Sequence, residues 1–150
     1  MTPIGTGAVA PSIPSPASRD GPAAVFFYKV TCPVCQMAAP KVRAFGEAYP
    51  GHVVAVGQDP SDKLAAFDRA YGPGFPTISD PPPYALSDAF GIEVVPTLFV
   101  LDAGRTVVDV VESWDREGLN RASDTLAGLL GLTPRAISDP ADGLPAFRPG

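Results

Sequence analysis

The 150-residue sequence predicts an α/β fold in which a central mixed β-sheet lies between layers of helices. Three observations predict it. Continuous apolar runs, typical of strands buried on both faces, alternate with segments whose apolar residues recur every three or four positions, as in amphipathic helices. Two further strands joined by a tight turn precede the last helix, which adds an antiparallel pair to the sheet. The length fits one domain that needs no disulfide to fold.

The first strand and the following helix enclose both cysteines of the chain. Residues 23–30 form an apolar and aromatic run, which predicts a strand at the centre of the sheet. Thr31 is expected to cap the helix, with Cys32 in its first turn and Pro33 near the first helical position, where a missing N–H costs nothing. The helix should end at Pro50-Gly51. Its predicted buried stripe is Val34, Ala38, Val42, Phe45 and Tyr49.

A second strand and helix follow at once. Val53–Gly57 is predicted to be a strand, and residues 59–62 supply polar groups that would cap a helix running to Tyr71. The side chains expected to face inward on this helix are Leu64, Phe67 and Tyr71. Residues 72–83 are rich in Gly and Pro and predict a loop with a short apolar island at residues 75–78.

The last part of the sheet is predicted to be a hairpin. Residues 84–90 form a brief helix that Gly91 ends, and Thr97–Leu101 then pairs with residues 106–111 across a turn at residues 102–105. The final helix, Arg116–Leu130, stops at Gly131. Its expected inward positions are Leu119, Ala122, Leu126, Leu129 and Leu130.

Proline use divides the chain into three parts. Of the 19 prolines, five lie in residues 1–22 and four in residues 132–150, so neither end can form a regular helix. We expect a turn-rich segment with one short edge strand, packed on the domain, at residues 1–22. The domain itself spans residues 23–131, and residues 132–150 form a partly ordered tail.

The formal net charge of −5 makes nucleic acid and anionic membranes unlikely partners. No apolar run approaches the roughly 20 residues of a membrane span, and residues 1–22 lack the apolar core of a secretory signal. The sequence therefore predicts a cytoplasmic protein.

Cys32 and Cys35 lie one helical turn apart at the start of a helix, where unpaired N–H groups favour a thiolate. This spacing predicts that Cys32 is a nucleophile and that Cys35 resolves the mixed disulfide that Cys32 forms. A zinc site would need further soft ligands, and His52, expected in a surface loop, is the only one in the sequence. No metal and no cofactor are expected. The alternative to a reactive dithiol is that both cysteines are buried and chemically inert.

Three separated motifs give the chain a family resemblance over about residues 8–131. They are Cys32-Pro33-Val34-Cys35 after a buried strand, Pro40 five residues later, and Val95-Pro96-Thr97 before another strand. With them the chain resembles the thioredoxin superfamily, and within it redoxins of the TlpA and AhpC/TSA type. Three further segments resemble the insert of those redoxins, namely Asp59-Pro60, Phe75-Pro76 and Ser79-Asp80-Pro81. The resemblance implies a thioredoxin fold with a redoxin-type insert.

The resemblance also implies a substrate site. The peptide bond between Val95 and Pro96 would be cis and would face the dithiol, and the backbone of Val95 would pair with a bound substrate chain. The residues expected to contact substrate are Pro33, Val34, Val95, Pro96 and Thr97.

The usual acids of the family are missing around Cys35. Phe26 occupies the position of the buried acid, and Ala38 lies where an acid can follow the second cysteine. Water, Lys29, Glu93 or a thiolate could accept the proton, although Lys29 is more often a solvated charge at a strand end.

Three functions remain open. The first is a thiol–disulfide oxidoreductase acting on protein or small-molecule disulfides, with a redox partner that recycles the dithiol. The second is a peroxiredoxin-like peroxidase, but the expected Thr or Ser three residues before the attacking cysteine is absent in both registers, which have Cys32 and Lys29 there. The third is a non-catalytic module that holds an extended peptide near Pro96.

Overall fold

The computed structural model describes residues 3–14, 21–72, 74 and 76–150. Its helices are α1 Pro33–Ala48, α2 Ser61–Ala70, α3 Ala85–Ala89 and α4 Arg116–Leu130. Its strands are β1 Ala23–Tyr28, β2 Val53–Gly57, β3 Thr77–Ser79, β4 Thr97–Leu101, β5 Val107–Glu112, β6 Trp114–Asp115 and β7 Phe147–Arg148.

A five-stranded mixed sheet in the order β3-β2-β1-β4-β5 forms the centre of the fold. Strand β1 lies in its middle, parallel to β2 and antiparallel to β4, and β5 continues antiparallel as the hairpin partner of β4. Every residue of β1 after Ala23 is buried, as its continuous apolar run predicts. The predicted thioredoxin-like α/β architecture is therefore confirmed.

Alternate side chains of β1 enter two different cores. Phe26 and Tyr28 pack with α1, α2 and α4 on one face of the sheet. Val25 and Phe27 pack on the other face against Phe90, which follows α3, and against residues of the N-terminal segment such as Ala10. Because the cysteines lie directly after β1, the two cores fix the position of the dithiol at the end of the central strand.

Two expectations about helix capping are wrong. Cys32, not Thr31, is the N-cap of α1, with extended backbone angles and a side chain that accepts the N–H of Cys35. Pro60 precedes α2 without any side-chain cap, because the carboxylate of Asp59 turns away to accept the N–H of Val30 at 2.9 Å. The cap of α1 is thus a local contact in its own first turn, whereas Asp59 contacts the loop after β1 in place of its own helix.

Two side chains expected to face inward are instead exposed, namely Tyr71 at 42% and Leu129 at 40%. Both lie in or just after the last turn of their helices, although Leu130, one residue beyond Leu129, still packs on the core. In the loop of residues 72–83, Thr77–Ser79 pairs with β2 as the edge strand β3, whereas Phe75 lies outside the described residues.

Within residues 3–14, the N-terminal segment contributes a single antiparallel bridge, between Val9 and Thr106, rather than a strand. Ala10 is buried beside it, and residues 15–20 lie outside the described part. The division of the chain at residues 22 and 131 stays a prediction. Among the described residues, no helix has both the length and the apolar character to cross a membrane.

The segment after α4 returns along the domain and makes many polar contacts. Asn120 binds the backbone of Ile137 and Ser138, and Arg116 binds Asp142 and the carbonyl of Leu144. Phe147–Arg148 then pairs antiparallel with Trp114–Asp115. This brings the last residues back to the edge of the sheet that carries β5.

Candidate active site

Cys32 lies at the N-terminus of α1 with its thiol partly exposed. Its Sγ accepts the backbone N–H of Cys35 at 3.2 Å and lies 3.5 Å from the carbonyl oxygen of Val95. Its own N–H donates to the carbonyl of Lys29, which closes the turn between β1 and α1. The sulfur is therefore held between the first turn of the helix and the loop that precedes β4.

These contacts lower the pKa of the Cys32 thiol from 9.0 to about 6. The hydrogen bond from the Cys35 side chain is the largest cause, and the N–H groups of Cys35 and Val34 and the positive charge of Arg148 act in the same direction, against partial burial. Hydrogen bonds and nearby positive charge favour the charged form of a thiol. Cys32 is therefore mostly a thiolate at neutral pH.

Cys35 has the opposite character. Its side chain is fully buried, and this burial, together with the neighbouring Cys32, raises the pKa of its thiol well above the usual range. A hydrogen bond from the backbone of Lys29 opposes the shift only in part. Both cysteines are free thiols in the structure, so the site is described in its reduced form.

The loop before β4 forms the second wall of the site. The Val95–Pro96 peptide bond is cis, and the carbonyl of Val95 faces the Cys32 sulfur. The carbonyl of Pro96 accepts the N–H of Ser113, a residue with a positive φ of 69° at the end of β5. The hydroxyl of Thr97 donates to the carbonyl of Val94 and is fully buried.

The five residues expected to contact substrate do not all present their side chains to the site. Pro33 is exposed beside Cys32, and Val95 is partly exposed. Val34 faces the core from α1, and Pro96 and Thr97 are also buried, so only the backbone of these three could meet a substrate. The resemblance implies that all five lie near the dithiol, but it does not tell which side chains face outward.

Of the side chains considered as proton acceptors for Cys35, that of Lys29 is held by another residue. The amine of Lys29 donates to the hydroxyl of Tyr84 at 3.0 Å and lies 5.1 Å from the centre of its ring, so it is engaged there rather than freely solvated. Glu93 is exposed and lies, with Val95, in the wall of a cavity of about 220 Å³.

Two residues that the sequence did not assign to the site hold the loop carrying the dithiol. The N–H of Val30 donates to the carboxylate of Asp59 at 2.9 Å, and its carbonyl accepts the side-chain amide of Gln36 at 3.0 Å. The backbone carbonyl of Asp59 in turn accepts the hydroxyl of Ser79 at 2.6 Å. The sequence indicates Asp59 as a helix cap and, with Pro60, as part of the redoxin-like insert, but not as a partner of Val30, which lies 29 residues away.

The C-terminal residues also reach the site, which no sequence signal indicated. The N–H of Gly150 donates to the hydroxyl of Ser113 at 3.0 Å, and the α-carbon of Gly150 lies against the carbonyl of Val95. Two residues earlier, Arg148 lies close enough to lower the pKa of Cys32.

Comparison with known proteins agrees with this geometry. The sequence model of the AhpC/TSA family matches residues 13–110, about two thirds of the chain. None of the curated proteins matches the sequence.

Several solved structures share the fold. The thiol:disulfide interchange protein DsbE from Chlorobium tepidum superimposes with a TM-score of 0.73 at 18% identity, over 85% of this chain and 99% of that one. The peroxidoxin BcpB from Mycobacterium tuberculosis superimposes with a TM-score of 0.63 at 24% identity, over 89% of this chain and 99% of that one. MTB dsbF, solved in mixed oxidized and reduced forms, superimposes with a TM-score of 0.62 at 27% identity, over 71% of this chain and 81% of that one.

Proposed function

The chain belongs to the AhpC/TSA family of thioredoxin-like redoxins, and on this premise we propose that it is a thiol–disulfide oxidoreductase. Cys32 is the nucleophile and Cys35 is the resolving thiol. The observation that carries this proposal is the contrast between the two sulfurs: one is partly exposed with a pKa of about 6, and the other is buried one helical turn away with a raised pKa. Similarity to DsbE and dsbF supports it.

In the first step the Cys32 thiolate attacks one sulfur of a substrate disulfide. A bond forms between the Cys32 sulfur and that sulfur, the substrate S–S bond breaks, and the second substrate sulfur leaves as a thiolate that takes up a proton. Cys35 does not compete as the attacking group, because burial keeps it protonated.

In the second step Cys35 loses its proton and attacks the Cys32 sulfur of the mixed disulfide. The bond between Cys32 and the substrate breaks, and the substrate sulfur that Cys32 had attacked leaves as a thiolate and is protonated. The substrate disulfide has then gained two electrons and become two thiols, while the protein holds a Cys32–Cys35 disulfide. We assign the proton of Cys35 to the departing thiolate or to water, since Lys29 is engaged with Tyr84.

The substrate is a protein or small-molecule disulfide, and an external dithiol or disulfide partner returns the pair to its starting state. A peptide substrate would lie along Val95, whose carbonyl faces the Cys32 sulfur. Pro33 offers an exposed apolar contact beside it. A cytoplasmic location and the absence of a cofactor belong to this proposal.

Trapping of the mixed disulfide tests the proposal. The reduced protein, Cys35→Ser and Cys32→Ser are each mixed with a peptide disulfide and analysed as intact proteins by mass spectrometry. We expect Cys35→Ser to gain the mass of one half-peptide on Cys32 and Cys32→Ser to gain none. The unsubstituted protein should release two peptide thiols and lose two hydrogens.

The alternatives give different outcomes. A peroxidase would form a sulfenic acid at a cysteine on addition of peroxide and would not exchange with the peptide disulfide, a result that would exclude the oxidoreductase. A non-catalytic module would bind the reduced peptide but neither exchange nor react with peroxide. Similarity to BcpB keeps the peroxide reaction worth measuring.

A further inference from the structure

The end of the chain lies in the place where an extended substrate would pair with the active-site loop. Phe147–Arg148 pairs with Trp114–Asp115, and the chain continues to Gly150, whose N–H donates to the hydroxyl of Ser113 at 3.0 Å. The N–H of Ser113 in turn donates to the carbonyl of Pro96. The last residues are thus bonded to the loop that faces the dithiol.

The carbonyl oxygen of Val95 is shared between this segment and the dithiol. The sulfur of Cys32 lies 3.5 Å from it, and the α-carbon of Gly150 packs against it so closely that an added Cβ would overlap it. A substrate strand that uses the Val95 backbone would need the same space. Gly150 and a substrate therefore cannot occupy this position together.

The attachment of the segment is strong up to Ala146 and weak beyond it. Pro145 accepts the indole N–H of Trp114 at 2.6 Å, and Ala146 accepts the N–H of Arg116 at 3.0 Å. The side chains of Phe147 and Arg148 are exposed, and their strand is only two residues long. Few buried contacts oppose its local opening, so residues 147–150 can leave without unfolding the rest.

We propose that the groove along Val95, Ser113 and Trp114 binds an extended polypeptide strand, and that residues 147–150 occupy it as an internal competitor of the substrate. This inference rests on the proposed function for the meaning of the groove. The occupant that fits is an extended chain with a glycine against the Val95 carbonyl, since a side chain there has no room. Residues 147–150 act as a strap that a peptide substrate must displace.

The test compares the full chain with a chain that ends at Ala146 and with Gly150→Val. Each is mixed with a peptide disulfide, and its rate of exchange is divided by its rate of alkylation with iodoacetamide, which is small enough to need no groove. We expect this ratio to be about tenfold higher in both variants. One or two net hydrogen bonds favour the closed state, in which residues 147–150 occupy the groove, by about this factor, and both variants lose that preference. Gly128→Val is the matched control, because a side chain at Gly128 meets open space, and its ratio should not change.

Binding in trans separates this inference from the proposed function. A synthetic peptide of residues 146–150 is titrated into the chain that ends at Ala146 while the amide signals of Val95 and Ser113 are followed by NMR. Saturable shifts of these two amide signals support the strap. If they occur while no disulfide exchange is detected, the proposed function is wrong and the strap is still supported. An unchanged ratio in both variants, or a peptide that shifts neither amide, overturns the strap and leaves the function standing.

Discussion

At the level of single residues, the two thiols differ in ionisation because the start of the helix favours charge on one sulfur and the core excludes it from the other. Cys32 accepts hydrogen bonds at the N-terminus of α1, whereas Cys35 is one turn inside and fully buried. Near pH 7 the reduced site therefore carries a single thiolate. In the proposed exchange this difference sets the order of attack, since the charged, partly exposed sulfur would react first.

The slope of the reduction potential of the Cys32–Cys35 pair against pH should change near pH 6. Below this pH both thiols are protonated and oxidation releases two protons, whereas above it Cys32 is already a thiolate and oxidation releases one. For two electrons each proton contributes about 30 mV per pH unit, so the slope should fall from about 60 to about 30 mV per unit. Equilibration with glutathione or dithiothreitol buffers from pH 5 to 8 measures it. A single slope over this range would contradict the assigned pKa.

Arg148→Ala should raise the pKa of Cys32, because the guanidinium favours the thiolate. The rate of alkylation by iodoacetamide should then fall near pH 6 and stay unchanged near pH 8, where Cys32 is a thiolate in both the variant and the unsubstituted protein. Arg148→Lys keeps the charge and should restore the rate, and 1 M salt should reduce the difference by screening. The control is Arg121→Ala, whose side chain pairs with Asp109. Equal pH profiles for Arg148→Ala and the full protein would exclude the electrostatic role.

At the level of elements, the loop between β1 and α1 is held by groups from two other segments. Asp59 after β2 and Gln36 in α1 bind the N–H and the carbonyl of Val30. The sequence predicts that β1 and α1 exist and meet at the cysteines, because hydrophobic periodicity is a local signal. It does not predict that Asp59 leaves α2, because the contact of Asp59 with Val30 joins residues 29 positions apart. The cap of α1 differs from the prediction by one residue, from Thr31 to Cys32, which hydrophobic periodicity does not resolve.

Asp59→Ala should lower the free energy of unfolding by about 1–3 kcal/mol, because the N–H of Val30 loses its partner. Urea denaturation of the reduced protein measures the change. Asp62→Ala removes an exposed carboxylate from the first turn of α2 and should lower the free energy of unfolding by only about 0.5 kcal/mol. Equal losses in the two variants would indicate that Asp59 acts through the helix rather than through Val30.

At the level of the whole molecule, the sheet and its helices could be predicted but the course of residues 132–150 could not. These residues have no apolar periodicity, and their polar partners are distant in sequence, such as Trp114, which lies 31 residues before Pro145, and Tyr49, which lies 86 residues before Arg135. Asp142 connects the segment to both α1 and α4, since it binds Lys41 and Arg116. The hydroxyl of Ser138 and the N–H of Leu144 hold the pKa of Asp142 well below its usual range. The segment is thus fixed by specific polar contacts.

Asn120 is the best single position at which to test whether these contacts hold the segment on the domain. Its side-chain oxygen accepts the N–H groups of Ile137 and Ser138, and its amide donates to the carbonyl of Ser138 at 2.8 Å. Asn120→Ala should lower the free energy of unfolding by about 1–3 kcal/mol, since buried backbone groups lose their partners. It should also speed tryptic cleavage after the exposed Arg135, because the chain beyond it is released.

Asn120→Asp is the matched variant for this prediction. The carboxylate can still accept both N–H groups and loses only the bond to the carbonyl of Ser138, so cleavage after Arg135 should be slower than in Asn120→Ala. Because residues 147–150 reach Val95 only through this anchored segment, Asn120→Ala should also raise exchange with a peptide disulfide relative to alkylation. Faster cleavage without that rise would show that β7 holds the end of the chain at the site independently of Asn120.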